Sequence, residues 1–358
     1  MAIDMPPAKL IIAYALDWIL IIAIAAVGGG ISYVKPYHRP FSLLDLAISF
    51  PYVDHDEVST VTLVVVSLIV PAVIIAIVTA LFVPAFSRSS IRDQRYWKRK
   101  LWEFNSGWMG LGLSFALAFF ITTGIKNLIG KPRPDLLARC QPDLNDIAAH
   151  VVGGYGQDIS QRWTLVSSSI CTQTNQKQLD EGFRSFLSGH SSMSWSGLLY
   201  LSLWLASKFN MLIPYLGHSA PPRRNDEDET EQQPRDRAAA PPVFGAIIVL
   251  IPICVAFFVC STRYVDFKHQ GIDIFSGSVL GIITAWIGFR WYHGSLTRGQ
   301  PWTWSPRSKD RAFAVSSGTH GWIGDGVDGV AMRERPQRMQ RTRDIDIEAG
   351  GSGDPIVK

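Results

Sequence analysis

The sequence predicts an all-α, polytopic membrane protein, a six-helix transmembrane bundle. Hydrophobic residues make up 47% of the 358 positions and mean hydropathy is positive, at +0.14. These residues gather into runs long enough to cross a bilayer as helices. The basic residues, in turn, crowd one connection between two runs, as the positive-inside rule expects of a cytosolic loop.

To within a few residues the runs are Lys9 to Tyr33, Ser59 to Val83, Gly107 to Ile125, Ser192 to Leu212, Val243 to Cys260 and Ile272 to Trp291. The first resembles a signal peptide, but Asp17 interrupts its core and five further runs follow, so a retained helix is expected. A charge at mid-membrane costs about 2.5 to 3.5 kcal/mol, which predicts that Asp17 lies near a helix end or faces the bundle. The second and third runs are joined through "RSSIRDQRYWKRK", where Arg88, Arg92, Arg95, Lys98, Arg99 and Lys100 form the basic connection. Placing it in the cytosol puts both termini there too, by alternation. Its position between spans, with Tyr96, Trp97 and Trp102 suited to an interface, argues against nucleic-acid binding and for contact with anionic lipid headgroups.

Residues 217–242, "HSAPPRRNDEDETEQQPRDRAAAPP" with its neighbours, are rich in charge and proline and predict a disordered cytosolic insert within a domain spanning residues 1–293. The tail, 294–358, holds too few apolar residues for a core and is expected to be disordered and cytosolic as well. The connection from Asn127 to Leu187 differs, carrying Tyr155, Trp163 and two cysteines, and predicts a partly ordered lid on the non-cytosolic face. Cys140 and Cys171 are candidates for a disulfide there, while Cys254 and Cys260 fall in or at the end of the fifth run.

Ionisable residues cluster beside the span ends on this same face. The third run closes with "IKNLIGKPRPD", holding Lys126 and Arg133; the fourth opens with Ser188, Gly189 and His190; the fifth gives way to "CSTRYVDFKHQGIDIFSG", holding Arg263, His269 and Asp273. Each cluster has an ordinary explanation: a snorkelling lysine, a turn before Pro134, a helix cap, a surface pair four residues apart. Together, two His, two Arg, a Lys and an Asp on one end of a small bundle fit phosphoryl transfer without a metal. Lys126, Arg133 and Arg263 suit phosphate oxygens, and the helix start at Ser188 and Gly189 adds N–H donors. One histidine can attack phosphorus while the other protonates the leaving oxygen, and Asp273, one turn after His269, can fix that ring.

"KNLIGKPRP", "SGHSS" and "TRYVDFKHQGID" resemble the three signature motifs of the type 2 phosphatidate phosphatase (PAP2) superfamily, the lipid phosphate phosphatases, closest to its fungal diacylglycerol pyrophosphate phosphatase branch. The resemblance covers about Lys9 to Trp291. It implies that His190 is the general acid, that His269 is the nucleophile supported by Asp273, and that Lys126, Arg133, Ser188, Gly189 and Arg263 bind phosphate. It further implies hydrolysis of phosphatidate, lysophosphatidate or diacylglycerol pyrophosphate with no metal or other cofactor, at the lumenal or extracellular side of an endomembrane (vacuole, Golgi or ER) or the plasma membrane. Two departures stand out: Leu187 where the family usually has Pro, and Thr262 where it usually has Ser. Other readings are a sphingoid-base phosphate or polyprenyl diphosphate phosphatase of the same superfamily, or a non-catalytic lipid-binding or transport protein. A transporter should carry polar, broken helices at mid-membrane, whereas the charges here sit at span ends. The preferred lipid and the oligomeric state are left open.

Overall fold

The computed structural model describes residues 8–82, 94–160, 163–209, 218–219, 238–239, 243–294, 296, 303 and 307. The chain divides into two compact units, one of Met1–Met5 and Tyr14–Pro306, the other of Pro6–Ala13 and Arg307–Lys358. Of the second unit only residues 8–13, the start of a helix, and Arg307 are described; the first holds the bundle and the site. Most of the predicted tail and of the predicted insert lies outside the described residues; the insert contributes a two-residue ladder pairing His218–Ser219 with Ala238–Ala239, and of the tail Leu296 packs on the bundle core and Thr303 accepts from Lys208 Nζ at 3.2 Å.

Among the described residues there are six long helices: α1 Ala8–Ser32, α2 Thr60–Phe82, α3 Gln94–Ile129, α6 Gly189–Lys208, α7 Val243–Val265 and α8 Gly271–Tyr292. Between α3 and α6 come the short α4 Leu136–Cys140 and α5 Gln176–Gly182 and an antiparallel pair, β1 Val151–Gly153 with β2 Leu165–Val166. The fold is all-α and polytopic: α1, α2, α3 from Trp97, α7 and α8 are long and apolar enough to cross a membrane. The basic segment expected as one loop is helical from Gln94 onward, and residues 83–93 lie outside the described residues. Within α2, residues Val65–Ile69 form a π-helical turn just before Pro71, whose ring nitrogen has no hydrogen to give the Ser67 carbonyl.

The exception to the apolar rule is α6. Its 20 residues reach about 30 Å, enough to span, but Ser191, Ser192, Ser194, Ser196, Ser202 and Ser207 are all buried. The helix packs against protein on several sides, so it needs no lipid-like surface. Tyr200, Leu201, Trp204 and Leu205 pack with Ile75 and Val78 of α2, Leu111 of α3, Val249 of α7 and Phe289 of α8. Hydrogen bonds tie it to its neighbours: Tyr200 Oη donates to the Gly107 carbonyl at 2.9 Å, Ser202 Oγ to Val249 O at 2.5 Å, and Ser114 Oγ to Ser196 O at 2.9 Å. Each such bond contributes about 0.6 kcal/mol in a membrane bundle. Close approach of α8 depends on glycine, since a Cβ on Gly277 would stand 2.6 Å from the Ser188 carbonyl. At the far end of α6, Lys208 forms a buried ion pair with Glu103.

The connections preceding α2 and α6 together build a cap with its own core of Phe41, Ile48, Leu136, Val166, Ile170, Leu179 and Phe183. Cys140 and Cys171 are joined as a disulfide with Cα atoms 4.6 Å apart. Backbone bonds knit the two connections to each other and to the bundle: Phe41 with Val166, Phe50 N–H to Pro134 O, and Tyr37 N–H to Asn127 O. His38 adds a half-buried anchor, stacking on Phe183 and bonding Asp180 at 2.8 Å.

Candidate active site

The three motifs arrive at one end of the bundle on four structural devices. The last turn of α3 carries Lys126, and the chain then turns at Gly130 (φ 60°) to present Arg133, whose N–H bonds the Gly182 carbonyl at 2.8 Å. Ser188 caps α6, so Gly189 and His190 are its first two residues. The last turn of α7 holds Arg263, because that helix runs five residues beyond the expected span to Val265. A tight loop through Phe267 (φ 54°) then delivers Lys268 and His269 to the start of α8.

Lys126, Arg133, Gly189, His190, Arg263 and His269 line a single cavity of about 280 Å³. Phe119 and Met193 add apolar wall to it. Among the described residues the Lys126 ammonium has no hydrogen-bond or ion-pair partner, and it lies 3.3 Å from where a Cβ on Gly189 would stand. Any side chain at that position would crowd the lysine and the open amides of the helix start. Arg133 Nη2 bonds Glu181 Oε2 at 2.9 Å, and Arg263 Nη2 bonds Asp266 Oδ2 at 2.5 Å.

His269 is buried, and its Nδ1 bonds the Ser185 carbonyl at 2.7 Å. A carbonyl only accepts, so Nδ1 carries the proton and Nε2 keeps a lone pair. Burial, then the charges of Arg133 and Lys126, hold this ring well below the usual histidine range, so it is neutral and available as a nucleophile. His190 Nε2 donates to the Val58 carbonyl at 3.0 Å.

Two sequence expectations are corrected here. Asp273 does not hold the His269 ring: its carboxylate takes Lys131 Nζ at 2.7 Å, Ser185 Oγ at 2.6 Å and the Gln270 amide at 3.2 Å, so its hydrogen bonds reach the histidine only by way of Ser185 and the cap of α8. Ser188 does not face the cavity either, because the amide expected to meet phosphate bonds the Asp273 carbonyl at 3.1 Å. It is fully buried, and its Oγ accepts from the Ser191 amide and hydroxyl.

The cavity also holds residues to which the sequence assigned no role: Asp56, Glu181 and Arg184 outside the motifs, and Asn127 and Lys268 within them. Glu181 sits between Arg133 and Arg184, which bonds its Oε1 at 2.8 Å. Burial alone would raise its carboxyl, but Arg133, Lys126 and Arg184 outweigh that and hold it at about 2. The i, i+3 spacing of Glu181 and Arg184 was the one visible hint of this pair. Arg184 is committed to structure, donating to Asn127 Oδ1 and to the carbonyls of Ser32 and Val34.

A family model, the PAP2 superfamily, matches residues 107–296, a stretch containing every residue of the three motifs. The chain belongs to the PAP2 superfamily. Its PAP2 relatives include Diacylglycerol pyrophosphate phosphatase 1 of Saccharomyces cerevisiae, 28% identical over 274 residues that cover 76% of this chain and 78% of that protein. Probable diacylglycerol pyrophosphate phosphatase 1 of Schizosaccharomyces pombe is 27% identical, covering 71% of this chain and 72% of its own. Probable lipid phosphate phosphatase 4 of Arabidopsis thaliana is 23% identical and covers 92% of both. No solved structure matches. The PAP2 match begins at residue 107, so the connection that brings Asp56 and Val58 to the cavity lies outside it.

Proposed function

We propose that this protein is a lipid phosphate phosphatase acting on phosphatidate, lysophosphatidate or diacylglycerol pyrophosphate through a phosphohistidine. The observation that carries the reading is the convergence of Lys126, Arg133, Arg263 and two histidines on one cavity at the start of α6. A phosphate monoester brings nearly two negative charges, and three cations with the first amides of a helix answer them. Phe119 and Met193 give the lipid side an apolar wall.

In the first step Nε2 of His269 attacks phosphorus as the bond to the leaving oxygen breaks, and His190 gives that oxygen its proton. Lys126, Arg133 and Arg263 stabilise the charge spread over the transferring oxygens. In the second step water attacks phosphorus as the bond to Nε2 of His269 breaks, His190 takes the water's proton, and orthophosphate leaves with the lone pair back on His269. Asp273 and Lys131, through Ser185, keep the nucleophile aimed. We place this face on the lumenal or extracellular side, because the basic start of α3 lies at the other end of that helix.

The test is phosphate release from a panel of lipid phosphates by purified protein in excess chelator. Wild-type protein should turn over and trap an acid-labile phosphohistidine on rapid quenching, and His269→Ala should do neither. Turnover by a folded His269→Ala variant would sink the scheme.

A further inference from the structure

The connection between α1 and α2 sets Asp56 in the cavity wall and the Val58 carbonyl against His190. Asp56 Oδ2 stands 3.3 Å from Arg263 Nη1 and its Oδ1 stands 3.5 Å from Lys268 Nζ. Two residues on, the Val58 carbonyl takes the hydrogen bond from His190 Nε2 at 3.0 Å. Between them the Glu57 amide bonds Asp266 Oδ2 at 3.3 Å, the carboxylate that also holds Arg263, and Lys268 Nζ bonds the Val53 carbonyl at 2.6 Å. One short segment therefore sets an anionic oxygen on a buried guanidinium and an uncharged oxygen on the neighbouring histidine. A phosphate ester would ask for the same two groups, Arg263 for a non-bridging oxygen and His190 for the leaving oxygen.

We propose that Asp56 and the Val58 carbonyl are the resting occupants of these two positions, and that Asp56 is a specificity-determining residue that discriminates against free orthophosphate. The inference rests on the phosphatase reading above. A tethered carboxylate competes at high effective concentration for Arg263. Orthophosphate has only its charge with which to displace it, whereas a lipid phosphate adds contact with the apolar wall and acyl-chain burial. The same competition expels the product: as phosphate leaves, Asp56 returns to the guanidinium, so the enzyme is protected from its own product beside a membrane rich in substrate.

The experiment measures inhibition by orthophosphate of full-length protein in mixed micelles with long-chain phosphatidate, comparing wild type, Asp56→Asn and Asp54→Asn. Asn keeps the shape of Asp56 and removes its charge; Asp54 is an exposed carboxylate two residues away. Asp56→Asn should bind orthophosphate about tenfold more tightly, the size of one lost electrostatic competitor, with a smaller fall in KM for the lipid, and Asp54→Asn should match wild type. An inhibition constant that is unchanged or weaker in Asp56→Asn, or an equal shift in Asp54→Asn, overturns the proposal. Orthophosphate binding is also read by thermal shift without turnover. Absence of hydrolysis by wild type would therefore reject the function, while the order of phosphate affinities still decides the role of Asp56.

Discussion

Replacing Asp273 with Asn separates two ways of holding a nucleophilic histidine. Were the carboxylate on the imidazole itself, the amide would favour the wrong tautomer, a defect that costs about 10⁴ in kcat in serine-protease triads. In this structure the Ser185 carbonyl fixes the Nδ1 proton, and no change at position 273 removes a carbonyl. What Asn removes is charge. At an effective dielectric of about 20, a carboxylate that reaches the ring only through Ser185 and is itself paired with Lys131 stabilises a phosphorylated, cationic ring by on the order of 1 to 2 kcal/mol, or roughly 5- to 30-fold in rate. Stability should suffer more visibly, because Asp273 is fully buried against Lys131. Breaking such a pair costs about 3 to 5 kcal/mol, with the lower end expected because Lys131 is 22% exposed. The assay is kcat at saturating phosphatidate alongside thermal unfolding in the same detergent, with Lys131→Met as companion. A loss near 10⁴ in a variant that still unfolds cooperatively would refute the argument and return Asp273 to the ring.

Reduction of the Cys140–Cys171 bridge should loosen the cap: for a separation of 31 residues the chain-entropy model gives about 4 kcal/mol, seen as a lower unfolding temperature in dithiothreitol that is absent in a Cys140→Ser, Cys171→Ser double variant. Glu181 is held at about 2, below its ordinary value of 4.5, so its pairing stabilises the fold above that ordinary value and is lost as pH falls toward 2. A pH series of unfolding temperatures should show this slope in wild type, and Glu181→Gln should flatten it; an unaltered slope would assign the effect elsewhere. Tyr155→Cys, at a fully solvated position of the cap, should react with an impermeant thiol reagent only from the lumenal or extracellular side, and labelling from the cytosolic side would invert the topology.

What the sequence disclosed was whatever follows from run length and from unusual neighbours. The apolar runs from Thr60 and Val243 could hardly be anything but spans, and Lys126, Arg133, His190, Arg263 and His269 betray themselves as charges at span ends. The hidden parts are those whose chemistry is not in a side chain or whose partner is distant. Ser185 holds His269 through a carbonyl that every residue possesses, so no letter marks it. The i, i+4 spacing of His269 and Asp273 suggested a contact, but the capping box at Gln270 turns that carboxylate back on its own helix start. Asp56 has no motif around it and meets Arg263 only because the cap folds over the bundle. The reach of α7 to Val265 was missed because Arg263 reads as the end of an apolar run, whereas Asp266 and Thr262 make that arginine tolerable inside a helix.

The serine-lined α6 bears on how the chain enters a membrane at all. A translocating segment partitions into lipid on the strength of its own apolar surface, and α6, which carries His190 at its mouth, has little to offer beyond what α3, α7 and α8 provide for it. The hydroxyls of Ser192, Ser194, Ser196 and Ser207 turn back on carbonyls of α6 itself, but Ser202 Oγ and the Ser196 carbonyl meet their partners only once α7 and α3 are in place. Insertion therefore has an order imposed by polarity: α6 should settle in lipid only together with α7 and α8, so a chain truncated before Val243 should leave it poorly inserted.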